Sequence, residues 1–234
     1  MEIKRFLKTL LIFLVLMVNS VEAKDGYSVQ DVYIKDDKKI CFLTFDDGPS
    51  NRTNDILDIL NEKGIKATFF VLGVEVINHP DILTRIYNEG HSIGNHTYSH
   101  AENYTPEKFI NDLEKNKNLI NDILKTDIGL NLIRFPYGSN SVLYKDKKAY
   151  LDKLREYNLR AIDWNVDSRD SIDKNPSQSF IMNKIIEQSR NKTKVVLLMH
   201  DSTTRRSTVK VLPSVIEYFQ NNGFVFEKLA SCQN

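Results

Sequence analysis

Residues 40–72 read ICFLTFDDGPSNRTNDILDILNEKGIKATFFVL, and the architecture follows from this stretch. Ile40–Phe45 and Ala67–Leu72 are short apolar runs of strand length. Between them residues 53–63 carry a helical pattern, closed by Gly64 where a left-handed cap is wanted. A strand, a helix and a second strand in so short a span form a crossover, which makes the two strands parallel.

The same alternation runs on to the C-terminus. Further strands are expected at His91–Gly94, Leu132–Phe135, Ala161–Trp164, Val195–Met199 and Phe224–Phe226. Helices are expected near 80–89, 106–125, 145–157, 177–190 and 209–222. Phe109, Leu113, Ile120 and Leu124 recur at helical steps, and Thr105-Pro106 supplies an N-cap and a first-turn proline. Gly90 and Gly223 close two more helices. Seven parallel strands joined by helices predict an α/β barrel-like sheet. The roughly 210 residues after the N-terminal segment fall short of the ~250 of a full eight-fold barrel. The expected fold is therefore a distorted, incomplete (β/α) barrel with about seven parallel strands.

The N-terminus differs in kind. Lys4, Arg5 and Lys8 precede an apolar run from Leu10 to Val18, followed by Val21-Glu22-Ala23. That order describes a secretory signal over residues 1–23, cleaved after Ala23 or retained as an anchor. The apolar run is short for a membrane span, which wants about 20 residues. Either outcome predicts export, as a secreted, wall-associated or membrane-held protein. Residues 24–37 form a polar lead-in, and residues 38–234 the working domain. With 32 basic and 31 acidic residues the chain is close to neutral, which argues against a nucleic-acid binder. Cys41 and Cys232 are too few for a disulfide framework; a buried thiol and a tail thiol are the simpler reading, and one bridge stays open. No protein partner is expected, and the chain reads as a monomer.

In a parallel barrel, reactive groups sit where strands end. The first strand ends in Asp46-Asp47-Gly48-Pro49, either turn chemistry or two carboxylates pointing in different directions, one free to bind a cation. The third ends in His96-x-x-x-His100, two imidazoles that a helical turn would project to one side. With Asp47 they make a His/His/carboxylate set that leaves positions open for water and substrate. Zinc suits those ligands best, and cobalt, manganese or nickel would also fit. Arg134, at the end of the fourth strand, is a rim residue or the partner that keeps Asp46 ionised. His200 ends the strand Val195–Met199, and Asp167 and Asp170 lie in an acidic loop able to orient an imidazole. His91 reads as a satisfied core histidine and His79 as exposed.

The ordered set Thr44-Phe45-Asp46-Asp47-Gly48, His96-x-x-x-His100, Arg134-x-Pro136-Tyr137 and Leu198-x-His200 resembles the polysaccharide deacetylases, carbohydrate esterase family 4 or the NodB-homology domain, over about residues 38–229. The resemblance implies Asp46 as general base, Asp47, His96 and His100 as metal ligands, and Arg134 as the residue that positions the base. It implies Tyr137 as the donor of a main-chain N–H to an oxyanion, Leu198 as a wall of the acetyl pocket and His200 as general acid. The family's Asp-Trp pair is here Asp170-Ser171, so the charge that tunes the acid is kept and the aromatic is lost. Trp164, the only tryptophan, takes that place or belongs to the core, the simpler reading. The implied reaction is metal-dependent removal of N-acetyl groups from a cell-wall glycan: peptidoglycan N-acetylglucosamine or N-acetylmuramic acid. Chitin oligomers and O-acetylated xylan are the alternative substrates. A catalytically silent wall-binding module and a metal phosphoesterase are the rival classes.

Overall fold

The computed structural model describes residues 38–229. The signal and lead-in readings at 1–37, and the tail thiol Cys232, lie outside the described residues. The elements in chain order are β1 (Ile40–Gly48), α1 (Asn51–Glu62), β2 (Thr68–Val71), α2 (Gly73–Asn78), α3 (Pro80–Asn88), β3 (Ser92–Asn95), α4 (Pro106–Leu124), β4 (Leu132–Ile133), α5 (Lys147–Glu156), β5 (Arg160–Ala161), β6 (Val166–Asp167), α6 (Gln178–Ser189), β7 (Lys194–His200), α7 (Arg206–Asn221) and β8 (Val225–Glu227). Helix starts carry the expected capping chemistry. Ser50 and Thr53 make a reciprocal capping box on α1, and Thr105 caps α4 ahead of Pro106.

The strands run in the order β5-β4-β3-β2-β1-β7-β6, all pairings parallel, with β8 added beside the first residues of β1. This is the incomplete barrel the alternation predicts, and its opening lies between β5 and β6. One strand was expected over Ala161–Trp164; two two-residue strands stand at opposite edges of the opening instead. Ile162 N–H donates to Ile133 O on one side, and Asn165 N–H to Val196 O on the other. The segment between them crosses the gap, so its backbone cannot follow one neighbour. β4 likewise stops at Ile133, short of the expected Phe135. The helix α2 was not anticipated: its six residues are separated by His79 alone from α3, which begins at Pro80.

Side-chain alternation sorts the core into layers. On β1, Cys41, Leu43 and Phe45 pack outward with helix residues such as Ile56, Leu57, Leu212 and Ile216. On β7, Val195, Leu197 and Met199 face the same layer. The opposite faces, Phe42 and Val196, meet Phe70, Leu132, Ile162 and Leu229 inside the barrel. Each such buried side chain contributes about 1.5–3 kcal/mol of transfer free energy. Along the inward rows, Phe42-Thr44-Asp46 and Val196-Leu198-His200 change from apolar to reactive at the C-terminal rim. His91 is buried as expected but only half satisfied: Nδ1 accepts from Ala67 N–H, and Nε2 makes no hydrogen bond among the described residues, with Glu89 Oε2 3.8 Å away. Burial pushes its imidazole down to about 4. His79, expected on the surface, is half-buried at the junction of α2 and α3.

Candidate active site

Asp46, Asp47, His96, His100, Tyr137, Trp164, Asp167, Ser171, Leu198, His200 and Arg205 line one cavity of about 460 Å³ at the C-terminal rim of the barrel. The register of β1 on β7 pairs Asp46 with His200 and Thr44 with Leu198, so these inward positions share one face. Asp47, by alternation alone, would point outward. The β1–β2 register slips between Asp46 and Gly48, and Asp47 has φ +74°, so this bulge turns its carboxylate into the same cavity as that of Asp46. The two carboxylates therefore converge, where strand geometry suggested divergence.

Asp47, His96 and His100 form a group that could hold a metal ion, with one ligand atom from each within 4.8 Å of the others. Asp47 Oδ1 lies 3.5 Å from His96 Nε2 and 3.6 Å from His100 Nε2. The donor set fits a divalent cation: His96 Nδ1–H donates to Arg134 O at 2.9 Å, which leaves Nε2 as the lone pair facing the group. Burial works to raise the Asp47 carboxyl, but the three surrounding imidazoles hold it well below the usual carboxylate range. Burial and the neighbouring His96 push His100 down, toward the neutral form that binds a cation.

The histidine pair is not on a helical turn, as its spacing suggested. It sits in a loop with Thr97 at φ +73° and His100 at φ +53°. Such a loop needs fastening, and α4 supplies it. Asp112 Oδ2 accepts from Tyr98 N–H and Ser99 N–H, both at 2.9 Å, and from Tyr104 OH at 2.6 Å. Asn116, fully buried, donates to Val71 O, Thr97 O and Asn95 Oδ1. Sequence reading missed both residues. The signal was present: Asn116 is a polar residue on the face marked by Phe109, Leu113 and Ile120.

Arg134 is buried, not a rim residue. Its Nη1 donates to Asp46 Oδ1 and to Thr44 Oγ1, both at 2.8 Å, and its Nε to Ile162 O at 3.0 Å. The guanidinium also lies 4.0 Å over the Phe70 ring. One cation thus holds the Asp46 side chain in place and ties the segment that crosses the barrel's opening. Tyr137 adopts φ +62°, and its main-chain N–H donates to no group among the described residues. The adjoining turn is held by Asp163, which accepts from Ser139 N–H and Ser139 Oγ.

His200 Nδ1–H donates to Asp170 Oδ1 at 2.8 Å, and Asp170 Oδ2 accepts from His200 N–H and Thr208 Oγ1. Asp170, not Asp167, is therefore the partner of His200; Asp167 Oδ1 accepts from Arg169 N–H. Burial would lower the His200 imidazole, but the Asp170 bond and charge, with Asp47 and Asp46 beyond it, raise it to about 9. Asp201, the next residue, is wholly buried beneath Gly48 and accepts from Thr53 Oγ1 at 2.6 Å. Burial pushes its carboxyl up to about 7, with the Thr53 bond pulling back. Trp164 is half-buried against the inner core and lines the cavity, so it serves both surfaces and not the core alone.

The polysaccharide deacetylase family model matches residues 33–161, more than half of the chain. The chain belongs to the polysaccharide deacetylase family. As a polysaccharide deacetylase it stands among the hydrolases of carbohydrate esterase family 4. It is 32% identical over 196 residues to a peptidoglycan-N-acetylglucosamine deacetylase of Bacillus cereus, covering 82% of this chain and 69% of that one. A chitooligosaccharide deacetylase of a Bradyrhizobium species is 30% identical over 205 residues, 80% of this chain and 88% of its own. The catalytic domain of a peptidoglycan N-acetylglucosamine deacetylase from Eubacterium rectale superposes with a TM-score of 0.78 at 29% identity, over 86% of this chain and 93% of that chain.

Proposed function

We propose that this polysaccharide deacetylase hydrolyses acetamides of peptidoglycan, at N-acetylglucosamine or the neighbouring N-acetylmuramic acid, outside the cytoplasm. The observation that carries the reading is the pairing of Asp46 with His200 across the rim, beside the Asp47/His96/His100 group. Two relatives whose names carry peptidoglycan N-acetylglucosamine support the substrate, and the N-terminal segment supports export.

A divalent cation held by Asp47, His96 and His100, with zinc the ion that best suits these ligands, would supply Lewis acidity toward the acetyl carbonyl and the attacking water. Asp46, held by the Arg134 hydrogen bond, takes a proton from that water as the water oxygen bonds to the carbonyl carbon. The free main-chain N–H of Tyr137 donates to the oxyanion, a contribution of about 3–4 kcal/mol for one well-placed donor. Leu198 walls the acetyl methyl. The amide nitrogen cannot leave as an anion; His200, charged below about pH 9, gives it a proton as the C–N bond breaks, and acetate and a free amine result. Asp170 holds that imidazole in place through Nδ1.

A silent wall-binding module would have no use for both an acid and a base in one cavity. The deciding assay measures acetate release from peptidoglycan, chitin and acetylated xylan fragments, before and after chelation and after zinc is restored. Chelator-sensitive release from peptidoglycan is the expected result. No release from any of the three by metal-loaded protein would overturn the proposal.

A further inference from the structure

We infer that Arg205 binds a glycan carboxylate, so that the enzyme selects an acidic sugar close to the acetamide under attack. The inference rests on the deacetylase reading and adds a substrate feature to it. Arg205 lines the cavity together with His200, Trp164 and Ser171. Its Nη1 donates to the main-chain O of Asp173 at 2.8 Å, and its buried Nε meets no partner among the described residues. No carboxylate among the described residues lies in ion-pair contact with it.

The cavity's own carboxylates are committed elsewhere: Asp46 to Arg134, Asp47 to the two imidazoles, Asp167 to the Arg169 N–H. Arg205 therefore presents a charge that no carboxylate among the described residues answers. A guanidinium offers a planar fork of donors matched to a carboxylate, and the small Ser171 side chain lines the same cavity. In peptidoglycan that chemistry is the lactyl carboxylate of a muramic acid whose stem peptide has been removed, since an attached peptide turns the group into an amide. That carboxylate belongs to the reacting ring or to the ring next to a reacting N-acetylglucosamine.

The test compares metal-loaded wild type, Arg205→Gln and Arg205→Lys on a peptide-free peptidoglycan tetrasaccharide and on the same glycan with its carboxyls converted to methylamides. Calorimetric Kd and kcat/KM for acetate release are measured on both glycans. Wild type is expected to prefer the acidic glycan, and Arg205→Gln to lower that preference about tenfold to a hundredfold, the range for a charge-assisted bond. Arg205→Lys should keep part of it. Equal handling of the two glycans by wild type, or an undiminished preference in Arg205→Gln, overturns the inference. Mass spectrometry of the product tells the two sources apart: an acetyl lost from the muramic ring places the carboxylate on the reacting sugar, and one lost from glucosamine on its neighbour. Should neither glycan release acetate, the deacetylase reading fails, and the ratio of Kd values still decides the role of Arg205.

Discussion

Replacing Asp170 by Asn tests the acid most directly. The Asp170 carboxylate is wholly buried and accepts three donors: His200 Nδ1–H, His200 N–H and Thr208 Oγ1. An asparagine has one acceptor oxygen, so its NH2 must face one of these donors. If the oxygen keeps the two donors of Oδ2, the NH2 confronts Nδ1, and the imidazolium loses its partner. With the charge gone and burial unopposed, the His200 pKa should fall from about 9 to 6.5 or below. At pH 8 the protonated fraction then drops from about 0.9 to about 0.03, a loss of roughly thirtyfold from titration alone. Lost orientation adds to this, within the ~10²–10⁴ that general acid catalysis supplies. The assay is kcat for acetate release from pH 5 to 10, with bound metal quantified in each variant. Wild type should decline on the alkaline side near pH 9, and the variant below pH 7. An unchanged profile in the variant would refute the assignment of Asp170 and His200. The stability sign is the same: the folded-state pKa lies above the free value, so this bond stabilises fully below pH ~6.5 and is lost as pH rises through about 9.

Other outcomes follow from the same geometry. His200→Ala should lower turnover about 10²–10⁴-fold while metal content, measured by atomic absorption, stays near that of wild type; a collapse of metal content would make His200 a ligand. Asp112→Ala removes the acceptor of the Tyr98, Ser99 and Tyr104 donors, and metal affinity should weaken about 10–100-fold with the fold intact by circular dichroism. Gly48→Ala would place a Cβ 2.1 Å from Asp201 Oδ2, so the turn bearing Asp47 must shift; a lower Tm and lower activity are expected, and a wild-type crystal geometry at Asp47 would contradict this. Arg134→Ala leaves the Asp46 carboxylate buried without its cation, and a loss of about 3–5 kcal/mol in denaturant unfolding is expected.

Much of this protein was legible in the sequence because periodicity is local. Alternation on β1 and β7 is written in the residues themselves, and it delivers Asp46 and His200 to the inward face wherever the strands pair. The crossover pattern likewise implies parallel strands and puts the reactive residues at one rim. What the sequence could not carry was set by contacts between distant segments. The bulge that turns Asp47 inward depends on how β1 meets β2. The loop that brings His96 and His100 together is shaped by Asp112 and Asn116 on a helix that follows it. The choice of Asp170 over Asp167 depends on where β6 lies against β7. In each case a residue's direction is fixed by hydrogen bonds whose partners are far apart along the chain, and such directions exist only once the barrel has formed.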